Sequence, residues 1–252
     1  MRILDFSGVY REREYTFPEG AEYLNLRGIE GTSCYCDDAA IAQILRFLGC
    51  ARNDSCHFDQ AKRVEKSVNF IDSGDYHYVT ALHCAGFQER FNLLLLDNHP
   101  DMQEPAFGNI LSCGGWVRRM LQENGNLNKV LIAGIDPALA GETEGFPGRV
   151  TVLTREETDI PGKIKSWLDS LQEPLYVSID KDVLARGYAS TNWDQGTMTL
   201  DTLKKVLESI KGTRVLGVDI CGELPADKCG GEEDFALNNR TNHILLSLCE
   251  NL

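Results

Sequence analysis

The chain predicts an α/β fold: a three-layer domain spanning residues 1–252, with a mostly parallel central sheet and helices on both faces. Three observations carry this expectation. Short apolar runs alternate with helical patterns from one end to the other. One run, Leu93, Leu94, Leu95 and Leu96, is apolar at every position, as a strand buried on both faces must be. No linker, repeat or low-complexity segment interrupts the alternation.

In order, residues 2–9 alternate enough for a first strand, and residues 12–31, charged and broken by Pro18, Gly20 and Gly28, read mostly as loop. Asp37 and Asp38 supply an N-cap and a first-turn acid for a helix over 39–48 that Gly49 ends. A short helix is expected over 58–66, a strand over 68–71, and a helix over 78–87 before the leucine strand. Residues 116–122 form a helix stopped by Gly125, with Gly114-Gly115-Trp116 read as a turn into it carrying a core tryptophan. Strands over 129–135 and 149–153 follow, then a helix over 161–171 with Pro161 in its first turn. A strand over 175–179, a helix over 200–211 opened by Thr199 and Asp201, a strand over 215–220 and a closing helix over 235–248 complete the chain.

The formal net charge is -13, with 38 acidic against 25 basic residues. That balance argues against a nucleic-acid backbone binder and against an anionic membrane surface as partner. The first residues lack the apolar core of a signal peptide, and no later run is long enough to cross a bilayer. A cytoplasmic address is the expectation. Nine cysteines (34, 36, 50, 56, 84, 113, 221, 229 and 249) are odd in number and irregularly spaced, with no CxxC pair, so free thiols are expected. Cys34 and Cys36, as Cys-x-Cys, are a poor metal site without further partners.

Potential metal ligands gather where three strands end. The leucine run stops at Asp97 and continues Asp97-Asn98-His99-Pro100-Asp101. The strand over 68–71 leads into Ser73-Gly74-Asp75-Tyr76-His77, and the strand over 175–179 into Asp180-Lys181-Asp182. Parallel sheets place their chemistry at such carboxyl ends. Two histidines (His77, His99) and four carboxylates (Asp97, Asp101, Asp180, Asp182) form an N/O donor set suited to Mn²⁺, Fe²⁺ or Zn²⁺. Six donors are too many for one catalytic cation that keeps an open position, and they suit two cations sharing carboxylates. The structural alternative is that His77 caps the next helix, Asp97 caps a turn, His99 is a surface histidine, Asp101 opens a helix, and Asp180 and Asp182 begin a loop. Three such coincidences at one sheet end weigh against it.

These segments resemble a family. Asp97-Asn98-His99-Pro100-Asp101 is similar to the DAHxD signature of the ureohydrolases (arginase, agmatinase, formiminoglutamase). Ser178-Ile179-Asp180-Lys181-Asp182 is similar to their SxDxD signature, and Ser73-Gly74-Asp75-Tyr76-His77 resembles GGDHS with one residue inserted before the histidine. Order and spacing agree over residues 68–225. The resemblance implies an arginase-like fold with two divalent ions, usually Mn²⁺. His77 and Asp101 would complete one site and His99 and Asp182 the other, with Asp97 and Asp180 bridging. A hydroxide shared by the ions would attack a guanidinium carbon, and Asp101 would handle its proton. A family glutamate that contacts the substrate is matched, one place late, by Glu223. Homo-oligomers are common in the family.

The departures fall in the substrate loops. After Asp182 the family continues DPxxAPGTGTP, whereas residues 185–200 read ARGYASTNWDQGTMTL. Leu111 stands where arginases carry a shuttle histidine. Trp193 and Asp194, in the rewritten loop, are the candidate substrate contacts, and Tyr76 is read as a packing residue. The leading expectation is a binuclear hydrolase acting on the C–N bond of a guanidino compound, free or as an arginine side chain in a peptide. The alternatives are a single-zinc deacetylase-like amide hydrolase and a catalytically silent metal-binding or regulatory protein of the same fold.

Overall fold

The computed structural model describes residues 1–49, 66–105, 107–228 and 230–252. The expected helix over 58–66 falls outside them except for Lys66, as do Cys50, Cys56, His57 and Cys229. The elements, in order, are β1 (Arg2–Asp5), α1 (Val9–Glu12), β2 (Glu22–Asn25), β3 (Tyr35–Cys36), α2 (Asp38–Phe47), β4 (Ser67–Ile71), α3 (Val79–Cys84), β5 (Phe91–Leu96), β6 (Leu111–Ser112), α4 (Trp116–Glu123) and β7 (Leu127–Ile135). They continue with β8 (Val150–Thr154), α5 (Ile160–Asp169), β9 (Leu175–Asp180), α6 (Leu200–Ser209), β10 (Val215–Cys221) and α7 (Glu232–Glu250).

Eight strands form one parallel sheet in the order β2-β1-β4-β10-β9-β5-β7-β8, and β3 pairs with β6 in a small antiparallel ladder. Period-2 alternation divides the core between the two faces. Leu94, Leu96, Val177 and Ile179 pack with α5, α6 and α7, whereas Leu93, Leu95 and Tyr176 pack with α2, α3 and α4. The sheet is thus covered on both sides, which is why the leucine strand is apolar throughout.

Local chemistry explains several boundaries. Asp37 caps α2 by accepting from the Ala40 N–H at 2.8 Å, and Thr199 caps α6 through the Thr202 N–H at 3.1 Å. Two expectations over the first 31 residues are corrected. The first strand ends at Asp5, because Gly8 turns the chain at φ +92° into α1. The segment read as loop contains β2, an edge strand paired only with β1. Its half-exposed Glu-Tyr-Leu-Asn has too little apolar pattern to announce itself.

The topology makes the crevice. β4 and β5 follow one another in sequence but are separated by two strands, the later β10 and β9. Strand order reverses there, and such switch points open a crevice at the carboxyl ends of the strands.

Candidate metal centre

Four adjacent strands, β4, β10, β9 and β5, deliver the polar groups. Cys221 is in register with Ile71 and Asp180, and Leu96 with Ile179, so Asp97, Asp180 and Cys221 leave three neighbouring strands at one level. Asp97 extends the face of Leu93 and Leu95, and Asp180 that of Tyr176, toward the α2, α3 and α4 layer. His77 reaches the same place from the turn between β4 and α3.

All six expected ligands converge. His77 Nδ1 lies 3.2 Å from Asp97 Oδ2, 3.0 Å from Asp101 Oδ2 and 3.6 Å from Asp180 Oδ2. His99 Nδ1 lies 2.9 Å from Asp182 Oδ2 and 3.6 Å from Asp97 Oδ1. Asp97 therefore turns a different oxygen to each histidine. The donors fall into overlapping groups, His77–Asp97–Asp101, Asp97–His99–Asp182 and His77–Asp180–Cys221, whose ligand atoms lie within 4.8 Å of one another.

A further set of contacts aims these groups. His77 Nε2 hydrogen-bonds Ser178 Oγ at 2.8 Å, which leaves Nδ1 directed at the carboxylates. Trp116, in the buried position expected of it, also donates its indole N–H to Asp101 Oδ2. The Asn98 N–H donates to Asp182 Oδ1 at 3.1 Å, and the Asp182 N–H to Asp180 Oδ1 at 2.9 Å. Asp101 itself holds φ +51°, a left-handed conformation uncommon for a non-glycine residue and concentrated at functional sites.

The electrostatics need a counter-charge. Asp97, Asp101, Asp180 and Asp182 are all buried, and burial pushes each carboxyl above its usual range, Asp182 to about 7. Burial opposes a charge on the histidines, yet their neighbours outweigh it: Cys221, Asp101 and Asp97 for His77, Asp182 and Asp97 for His99, which is pushed up to about 12. Four buried carboxylates faced by two histidines as counter-charges are a donor set that divalent cations fit. His77, Asp97, Asp101 and Asp180 could hold one, and His99, Asp182, Asp97 and Asp180 another.

A cavity of about 230 Å³ opens above these residues, and its lining includes all six together with Cys34, Gln103, Ser112, Glu142 and Trp193. Trp193 spans the rim: its indole N–H donates to Asp75 Oδ1 at 2.9 Å, and its ring meets His99 edge-on at 5.9 Å. Asp194 is exposed, and its backbone carbonyl accepts from Asn98 Nδ2. Its side chain is not among those lining the cavity. Glu223 is likewise absent from the lining. Gly222, at φ +89°, turns the chain, and the Glu223 carboxylate is taken up by Lys181 Nζ at 2.6 Å, the Tyr15 hydroxyl at 2.7 Å and Asn242 Nδ2 at 2.6 Å. Lys181 thus points away from the ligand carboxylates, as an alternating segment requires.

Leu111 is buried in the core, while its neighbour Ser112 lines the cavity. Tyr76 stacks on Phe6 at 4.4 Å, a packing role. Cys36 is buried in the core, and only Cys34 of that pair lines the cavity. Glu142 was not singled out from the sequence. It lies on a 3-10 turn, Pro137–Thr143, and its Oε2 is buried with no hydrogen-bond partner among the described residues. No motif surrounds it, so nothing in the sequence could have marked it.

The fold and the convergent donors define a family, and comparison with known proteins agrees. A family model described as "Arginase family" matches residues 60–239. The chain therefore belongs to the arginase family. An uncharacterised protein of Thermotoga maritima is 32% identical over 223 residues, 88% of this chain and 79% of that one. Among solved structures, the proclavaminate amidino hydrolase of Streptomyces clavuligerus matches with a TM-score of 0.66 at 14% identity, covering 100% of this chain and 92% of that one. A hypothetical agmatinase of Burkholderia thailandensis matches with a TM-score of 0.58 at 16% identity over 83% of this chain. This chain spans 64% of the length of that agmatinase. At such identities the structural matches speak for the fold alone.

Proposed function

We propose that the protein, residues 1–252 acting as one arginase-like unit, is a ureohydrolase-type hydrolase that cleaves a C–N bond of a guanidino compound at a two-cation centre. The observation that carries the reading is Asp97, which presents Oδ2 to His77 and Oδ1 to His99. One carboxylate facing two donor groups is what a pair of cations sharing a ligand needs, and a single-zinc amide hydrolase does not. Mn²⁺ is the family expectation for the pair. When bound, the cations supply Lewis acidity and lower the pKa of water.

The chain's own residues then have separable roles. Asp97, which faces both histidines, and Asp180, which faces His77 and accepts the Asp182 N–H, would be shared, His77 with Asp101 would complete one site, and His99 with Asp182 the other. Asp101 Oδ2, held by the Trp116 indole, stands at the cavity floor as the proton acceptor. Glu142 is the carboxylate available to a cationic substrate, because Glu223 is already neutralised by Lys181. Trp193 would cover the substrate from the rim. A cavity of about 230 Å³ has room for a guanidinium group with a short tail, or for the end of an arginine side chain. A cytoplasmic setting is supported by the described cysteines, all free thiols, and among the described residues no helix is long and apolar enough to cross a membrane.

The test is a screen for urea and amine release from guanidino compounds and arginine-containing peptides after Mn²⁺ loading. Turnover that Glu142→Gln weakens mainly through KM supports the reading. Release of acetate from acetylated amines with no urea from any guanidine would replace it with the amide-hydrolase alternative. Bound metal with neither activity would leave a silent metal-binding protein.

A further inference from the structure

Cys221 is a donor that the N/O reading of the centre leaves unused. It ends β10, in register with Asp180 on one side and Ile71 on the other, and it is 1% exposed. Its Sγ lies 3.1 Å from Asp180 Oδ2, the oxygen that also faces His77 Nδ1 at 3.6 Å. One donor atom each from His77, Asp180 and Cys221 falls within 4.8 Å of the others. Ligands sharing a cation at the usual bond lengths, about 2.3 Å to sulfur and 2.0–2.2 Å to nitrogen or oxygen, sit about 3–4 Å apart. The Cys221–Asp180 and Asp180–His77 separations fall in that range, and the third lies within 4.8 Å.

The backbone is built to bring the sulfur there. At Gly222, with φ +89°, an added Cβ would stand 2.4 Å from Asp180 Oδ1 and 2.8 Å from the Lys181 nitrogen. Glycine thus allows the end of β10 to press against the bridging carboxylate. The other buried thiols, Cys36, Cys84, Cys113 and Cys249, belong to no such donor group among the described residues.

We propose that Cys221 is a thiolate ligand of the cation held by His77 and Asp180, so that one half of the centre is a mixed sulfur, nitrogen and oxygen site. The inference rests on the two-cation reading above. Loading a divalent ion forms the metal–sulfur bond and releases the thiol proton to solvent. A soft donor shifts that half toward Zn²⁺, Co²⁺ or Fe²⁺ and away from Mn²⁺. The competing role for Cys221 is a thiol that only hydrogen-bonds Asp180.

Co²⁺ titration of chelator-treated protein separates these. A near-ultraviolet sulfur-to-cobalt charge-transfer band should rise with added Co²⁺ and saturate. It should persist in Cys34→Ser, whose thiol lines the cavity but belongs to no donor group among the described residues, and vanish in Cys221→Ser while visible cobalt bands remain. The Zn²⁺-to-Mn²⁺ affinity ratio should fall at least about tenfold in Cys221→Ser. Visible cobalt bands in the wild type without the charge-transfer band overturn the ligand role and leave the two-cation reading standing. So does a band that survives Cys221→Ser. Should that variant fail to fold, a band that persists in both Cys34→Ser and Cys113→Ser, the thiols that line the cavity, still assigns the sulfur to Cys221, and a band lost in either overturns it. No Co²⁺ bound by any form overturns both readings.

Discussion

His77 Nε2 and Ser178 Oγ are 2.8 Å apart, and that bond decides which histidine nitrogen faces the carboxylates. Ser178 is buried on β9, two residues before Asp180, so one strand both offers a ligand and aims another. Ser178→Ala should weaken metal binding about 10–100-fold, the usual cost of removing such an outer partner. Chelator competition would read the change, and an unaltered affinity would show that the ring is oriented without Ser178, by its packing 4.9 Å from the Trp116 ring and its carboxylate neighbours.

Removing the cations should also destabilise the fold. Ions that bind only the folded chain add about 2.7 kcal/mol at a hundred times their Kd, worth about 5–10 °C in Tm for a chain of this size. Scanning calorimetry with and without chelator, then across increasing Mn²⁺, should show the Tm fall and recover. An unchanged Tm would mean that the buried carboxylates are satisfied without a cation.

The Lys181–Glu223 pair, fully buried and 2.6 Å apart, supplies a test independent of metal. Lys181→Met leaves Glu223 charged in the interior and should cost about 3–5 kcal/mol. Adding Glu223→Gln should return much of that loss, because both charges are then gone. Denaturant unfolding of the two single variants and the double would check it. Additive losses would show that the residues do not act as a pair.

Gly222→Ala should damage stability and site together. A left-handed φ costs a non-glycine residue about 1–2 kcal/mol, and the added Cβ must displace Asp180. Lower unfolding free energy with weaker metal binding is the expected result, and unchanged metal affinity would show that Asp180 has room to move.

The sheet and the six donors were legible because each has a local signature: unbroken apolar runs for β5 and β7, and acid–histidine spacings directly after strand ends. What escaped depends on contacts across the sheet. β2 is an edge strand with half-exposed residues, and β3 and β6 are two residues each, too short for any periodicity. Cys221 meets Asp180 only through the register of β10 on β9, although the two are 41 positions apart. Glu223 carries the right chemistry at nearly the right position, but a positive-φ glycine turns it toward Lys181. Trp193 was identifiable as a loop aromatic, whereas its partner Asp75 lies 118 positions away and gave no signal.

The most direct test of the central claim is elemental analysis of metal per chain, after Mn²⁺ or Zn²⁺ loading, for the wild type, Asp97→Ala and His99→Ala. About two ions per wild-type chain are expected for a shared-carboxylate centre. Asp97→Ala, which removes the oxygen facing each histidine, should lose both, and His99→Ala should keep one. Two ions retained by Asp97→Ala, or none bound by the wild type, would contradict the account.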